Sequence, residues 1–134
     1  MTPRAKLFVS LAGHEGVFGE GKWQLLTAVK VHGSISKAAA ALGRSYRKAW
    51  GDIKRAELLL GRPLVVRTRG GQHGGLSVPT EYCEELLTAW EKYRRQVYAS
   101  IEACYARHLD HLLQRNPLRA KRPRTSTVRQ KNIV

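Results

Sequence analysis

The sequence predicts a mainly α fold that carries a small β-wing and ends in a long C-terminal helix. Three observations predict it. Apolar residues recur at helical spacing through residues 22–60 and again beyond Thr80. Between these stretches lie two short β-rich runs, residues 63–67 and 76–78, joined by a Gly-rich loop. Helix punctuation falls at the seams: Ser34, Ser36, Ser45 and Thr80 where helices should start, Gly33, Gly43 and Gly61 where they should stop.

In chain order, residues 6–11 are short and apolar, and Gly13, Gly16, Gly19 and Gly21 follow closely, which reads as a strand or hairpin. From Lys22 the pattern is helical, with Trp23, Leu25, Leu26, Ala28 and Val29 on one broad face. Ser34 and Ser36 offer N-caps for a very short, alanine-rich helix over 37–42. Ser45 caps a longer helix from Tyr46 to Leu60. Its spacing sends Tyr46, Ala49, Trp50, Ile53 and Leu60 inward and Arg47, Lys48, Gly51, Lys54 and Arg55 outward. Two helices joined by the turn at 42–45, followed by a hairpin with a cationic, Gly-rich tip, make a winged helix-turn-helix pattern.

In the last helix, Leu86, Trp90, Tyr93, Val97 and Cys104 follow a 4-3-4-7 spacing, and Leu87, Ile101, Tyr105, Leu109 and Leu112 broaden the stripe. No helix breaker occurs before Pro117, so this helix is expected to project from a small domain. An apolar stripe on such a helix needs a partner, most simply a second copy across a two-fold axis. Leu86, Trp90, Tyr93, Val97, Ile101, Cys104 and Tyr105 are the expected dimer contacts. The expected organisation is a winged helix-turn-helix over 1–79, a dimerisation helix over 80–115 and a basic, disordered tail over 116–134.

The charge is concentrated. The 134 residues carry a formal charge of +14, which on so short a chain points to a polyanion, nucleic acid before membrane. Residues 30–69 hold ten basic side chains against Asp52 and Glu57, a net of +8, and this stretch has the apolar pattern of a folded segment. No apolar run reaches the roughly 18 residues of a membrane span, and there is no signal-peptide pattern. The two cysteines, Cys83 and Cys104, make no disulfide framework. A cytoplasmic, nucleoid-associated protein without membrane attachment is the expectation.

Double-stranded DNA is the expected partner. A recognition helix places side chains of its first turns on base edges in the major groove, which assigns base readout to Arg47 first and Lys48 next, with Gly51, Lys54, Arg55 and, in part, Tyr46 on the same surface. Ser36 and Ser45 stand at helix starts, where caps can also meet phosphate. Arg67, Arg69, Gln72 and His73 belong to the wing, placed to touch phosphate or the minor groove. The Gly-rich loops lack P-loop and dinucleotide-binding spacing. Cys104, His108 and His111 lie at i, i+4 and i+7, at most a partial metal set, and neither a metal nor another cofactor is expected. No nucleophile–base–acid grouping points to an enzyme. Nonspecific or architectural DNA binding, or a winged helix used for protein or RNA contact, are the alternatives.

Residues 19–29, residues 33–43 and the string Ser45, Tyr46, Arg47, Lys48, Ala49, Trp50 resemble the N-terminal domain of ModE-type molybdate-responsive transcription regulators. Those are winged helix-turn-helix proteins of the wider LysR-like class. Residues 70–75 are similar to the family's Gly-rich wing, and Thr80 matches its helix start; the resemblance covers residues 6–95. It implies a homodimer joined through the long helix and bound to a palindromic operator. Two-domain members add a molybdate-binding domain. The 17 residues after Pro117 are too few for one, so direct molybdate binding is not expected. Arg44, Gly51, Lys54, Arg55 and the start of the last helix at residues 81–83 depart from the family's pattern and make the surface more basic.

Overall fold

The computed structural model describes residues 3–11, 13–68 and 76–114. The chain divides into two units, one of them Arg4–Val97 and the other including Tyr98 onward. The described residues are mainly helical, with two small antiparallel sheets.

The first unit opens with a hairpin of β1 (Phe8–Leu11) and β2 (His14–Gly19). The strand or hairpin read from residues 6–11 and the glycines that follow is this β1–β2 hairpin. Gly19 is needed there for a close approach, since a Cβ at that position would lie 2.7 Å from the Phe8 Cβ. Helix α1 (Glu20–His32) begins two residues before the expected start and ends at Gly33, whose φ of 81° is the left-handed conformation that glycine adopts freely. Helix α2 (Ile35–Ala41) is capped by Ser34, whose hydroxyl accepts from the Lys37 amide at 3.0 Å. Ser36 lies inside the helix, exposed, and is not the cap.

Helix α3 (Tyr46–Leu60) starts at Ser45, whose Oγ accepts from the Lys48 amide at 3.1 Å, and ends at Gly61. Strands β3 (Val65–Thr68) and β4 (Leu76–Pro79) pair as the wing, Val66 opposite Val78. The β4 backbone is tied to the helical layer where the Ser77 amide donates to the Gly33 carbonyl at 2.8 Å. Thr80 donates to the Pro63 carbonyl at 2.9 Å and accepts from the Cys83 amide at 3.0 Å, so one hydroxyl closes the wing and caps the next helix, α4 (Glu81–His108).

The core joins Phe18, Leu25, Leu26, Val29, Ile35, Ala38, Ala39, Ala49, Ile53, Ala56 and Leu64 to Cys83, Leu87 and Trp90 from the start of α4. Trp90, one of the expected dimer contacts, lies in this core. It is 5% exposed, sits edge-on to Phe18 with ring centroids 5.2 Å apart, and donates from Nε1 to Glu20 at 3.1 Å. The same carboxylate receives Arg94 Nε at 2.9 and 3.0 Å, and the Arg94 guanidinium lies 4.5 Å over the Trp23 ring.

In the second unit, α4 runs on from Tyr98 to His108, and Leu109 interrupts the helix before the four-residue α5 (Asp110–Leu113). An unbroken helix to Pro117 was expected. Neither glycine nor proline marks this break. Among the described residues of this unit none is buried.

Candidate nucleic-acid interface

Helix α3 turns one face to the core and leaves the other bare. Ala49, Ile53 and Ala56 are buried, while Arg47, Lys54 and Arg55 are exposed on the opposite side around half-buried Gly51. Gly51 has ordinary helical backbone, and a Cβ there would meet nothing within 4 Å. Glycine in a helix interior costs roughly 1 kcal/mol relative to alanine, and no neighbour among the described residues requires it. The result is a notch in the outer face, bounded by cations one turn to either side.

Each flank of α3 abuts a different element. On one flank Tyr46, Trp50 and Glu57 succeed one another at helical spacing, and Tyr46 and Glu57 meet the segment that leads into and forms the wing. Arg67 Nη2 approaches the Tyr46 hydroxyl at 3.5 Å. The Glu57 carboxylate accepts from the backbone amides of Leu64 at 2.8 Å and Val65 at 3.2 Å and pairs with Lys54 at 3.3 Å. This carboxylate fixes where the wing leaves the helix. Tyr46 and Trp50, expected inward, are 43% and 41% exposed. Small Ala56 fills the inner stripe that Trp50 was expected to join. Trp50 instead lies beside Lys54, whose ammonium is 5.6 Å from the ring centroid.

On the opposite flank lie Lys48 and Asp52, paired at 3.6 Å, beside the N-terminal hairpin. Arg44, an unusual residue for the turn, donates to the Gly21 carbonyl at 3.2 Å and to Gln24 Oε1 at 3.3 Å, tying the turn to the first turn of α1. The structure brings the sequence-expected Ser45, Arg47, Gly51, Lys54 and Arg55 together at the start and on the outer face of α3. Arg44, Glu20 and Glu57, which position the elements, were not among the expected site residues. Their partners lie 7 to 74 residues away, beyond the reach of periodicity. Arg67 stands on β3, exposed. Arg69, Gln72 and His73 lie outside the described residues, as does the tail over 116–134.

Of the expected dimer residues, Tyr93 and Cys104 are exposed, while Leu86, Val97, Ile101 and Tyr105 are half-buried. Among the described residues no group of three or more His, Cys, Asp or Glu side chains is placed to hold a metal ion, and the set Cys104, His108 and His111 does not form one. Cys83 is fully buried. Burial first, then the neighbouring Glu84 and Glu57 carboxylates, push its thiol from 9.0 up to about 12, so it stays protonated and unreactive. Among the described residues no helix is long and apolar enough to cross a membrane.

Residues 21–84, which take in α1 from its second residue, α2, α3, the wing strands and the first residues of α4, match the family model described as bacterial regulatory helix-turn-helix protein, lysR family. This segment is a LysR-type helix-turn-helix domain. The chain is similar to "Molybdenum transport protein ModE" of Azotobacter vinelandii, 35% identical over 92 residues that cover 69% of this chain and 31% of that protein. It is similar to "Molybdenum-pterin-binding protein MopB" of Rhodobacter capsulatus, 37% identical over 91 residues covering 68% and 31%. It is also similar to "DNA-binding transcriptional dual regulator ModE" of Escherichia coli (strain K12), 32% identical over 89 residues covering 66% and 34%. The chain thus spans about a third of the length of these curated relatives, and what is shared is the LysR-type domain with the start of α4.

Proposed function

We propose that this protein is a DNA-binding transcriptional regulator that acts as a homodimer on a palindromic operator, in the cytoplasm and at the nucleoid. The observation that carries the reading is Gly51. A glycine that packing among the described residues does not call for, set among Arg47, Lys54 and Arg55 on a helix that a LysR-type domain presents to DNA, leaves room for a partner to come close. Arg47 reads base edges from the first turn, where a bidentate bond to guanine is worth about 1–3 kcal/mol of discrimination. Tyr46 and Arg67 meet the phosphate strand between helix and wing. Ser36, Ser45, Arg69, Gln72 and His73 complete the surface. Two copies join through Leu86, Tyr93, Val97, Ile101, Cys104 and Tyr105 of α4, with Trp90 behind them in the core. The proposed organisation assigns DNA binding to residues 1–79, dimerisation to 80–115 and added phosphate contacts to the tail. The function is non-enzymatic.

Selection of bound duplexes from a random pool at about 0.15 M salt, where distant charge attraction is screened, tests this. Enrichment of an inverted repeat with half-sites about one helical turn apart is the expected result. Binding without enrichment refutes operator recognition and leaves an architectural DNA binder. No binding refutes the reading and favours α4 as a surface for another protein.

A further inference from the structure

The flank of α3 away from the wing forms a groove that the proposed operator contacts leave unused. It is lined by residues 5–8 ahead of and within β1, by Gly16, Phe18 and Gly19 of β2, by Glu20, Gly21 and Lys22 of α1, and by Arg44, Lys48 and Asp52. Four cationic side chains, Lys6, Lys22, Arg44 and Lys48, thus face one trough that holds two carboxylates, Glu20 and Asp52. Glu20 is already taken by Arg94 at 2.9 and 3.0 Å and by Trp90 at 3.1 Å, which leaves Asp52, 3.6 Å from Lys48, as the opposing charge. Lys22 donates to the Gly16 carbonyl at 3.2 Å, one of the three bonds an ammonium can make. Arg44 uses two of its five N–H donors on Gly21 and Gln24. Lys6 is exposed at the mouth.

We infer that this groove is a second phosphate-binding surface, which grips the DNA strand on the side of the recognition helix opposite the wing. The inference rests on the DNA-binding reading above and extends it to the N-terminal hairpin. Its geometric basis is width. A helix with its side chains is about 10–12 Å across and the major groove about 12 Å wide, so a helix seated there meets a phosphate strand on each flank. The wing serves one flank. The cations of the hairpin groove serve the other, and Lys48, on this flank, contacts phosphate rather than a base edge. Phosphate contacts carry no sequence information and fix the register of the protein on the duplex.

The test is the salt dependence of binding by the full chain, for a pool-selected duplex and for a random duplex of equal length. Each phosphate contact contributes about 0.9 to the slope of log affinity against log salt. Lys6→Ala should lower the slope by about 0.9 and weaken binding about fivefold at 0.15 M salt, equally on both duplexes. Asp52→Asn should strengthen binding to both. Because Lys6 is exposed, a retained circular dichroism spectrum and melting temperature are expected for Lys6→Ala. Unchanged affinity and slope for both variants, with wild-type binding intact, overturn the groove and leave the DNA-binding reading standing. A Lys6→Ala loss confined to the selected duplex also overturns it, since that is base readout. Failure of the wild-type chain to bind either duplex overturns both readings.

Discussion

Replacing Gly51 with alanine should push folding stability and DNA affinity in opposite directions. A Cβ at this position meets nothing within 4 Å, and the backbone is helical, so the methyl group is accommodated without strain. Alanine loses less backbone entropy in a helix than glycine, and the exchange in a helix interior is worth about 0.8–1 kcal/mol. For a domain of this size, that raises the melting temperature by roughly 4–8 °C. In the proposed complex the same methyl group fills the notch between Arg47, Lys54 and Arg55. Misfit at one base pair costs about 1–3 kcal/mol, so affinity for the selected duplex should drop by roughly 5- to 150-fold. Thermal unfolding by circular dichroism and fluorescence anisotropy with a labelled duplex read the two effects. A stabilised variant that binds as tightly as wild type would refute the close approach. A destabilised variant would refute the inference that this side of α3 is open.

Trp90→Ala should cost about 3–5 kcal/mol in chemical denaturation, the range for an aromatic lost from a core, whereas Trp50→Ala, at a site 41% exposed, should cost about 1 kcal/mol; equal costs would contradict the placement of Trp50. Glu57→Ala should destabilise by about 2–3 kcal/mol, since it leaves two part-buried backbone amides without their carboxylate, and Glu57→Gln should recover part of that loss. In the native protein a thiol reagent should modify exposed Cys104 and spare buried Cys83. Because the folded state keeps the Cys83 proton that the unfolded chain releases above 9.0, stability from this group is full below that pH and falls as pH climbs toward 12. The loss reaches up to about 4 kcal/mol; a pH profile for Cys83→Ala as steep as wild type would show that this thiol is not the cause.

What the sequence made legible was local. Gly33, Ser45, Gly61 and Thr80 each act through atoms within a few residues, as left-handed stops or hydroxyl caps, so spacing and residue type located α1, α3 and the start of α4 almost to the residue. The short helix α2 was displaced by two residues because two serines offered the same chemistry, and only packing of Ile35 into the core chooses Ser34. The bend at Leu109 has no glycine or proline to announce it.

Trp50 shows why the site was less legible than the fold. Hydrophobicity argues that a tryptophan belongs inside, but the helix allots its inner stripe by angle, and Ala49, Ile53 and Ala56 already fill it. Small residues in that stripe let α3 sit close to the alanines of α2, which leaves no room for a large ring between them. The ring therefore lies on the flank, beside Lys54. Here the bulky residue is outside and the small ones inside because the helix-turn-helix needs close helix packing more than it needs one more buried aromatic. The inversion carries into function, since it gives the wing-side flank an aromatic pair, Tyr46 and Trp50, and the hairpin-side flank the cations Lys6, Lys22, Arg44 and Lys48. A surface divided in this way grips its two neighbouring phosphate strands by different chemistry: the hairpin side by charge, which salt screens, and the wing side partly by aromatic contact, which salt screens far less. Binding that persists at high salt should therefore depend on Tyr46 and Trp50 more than on Lys6.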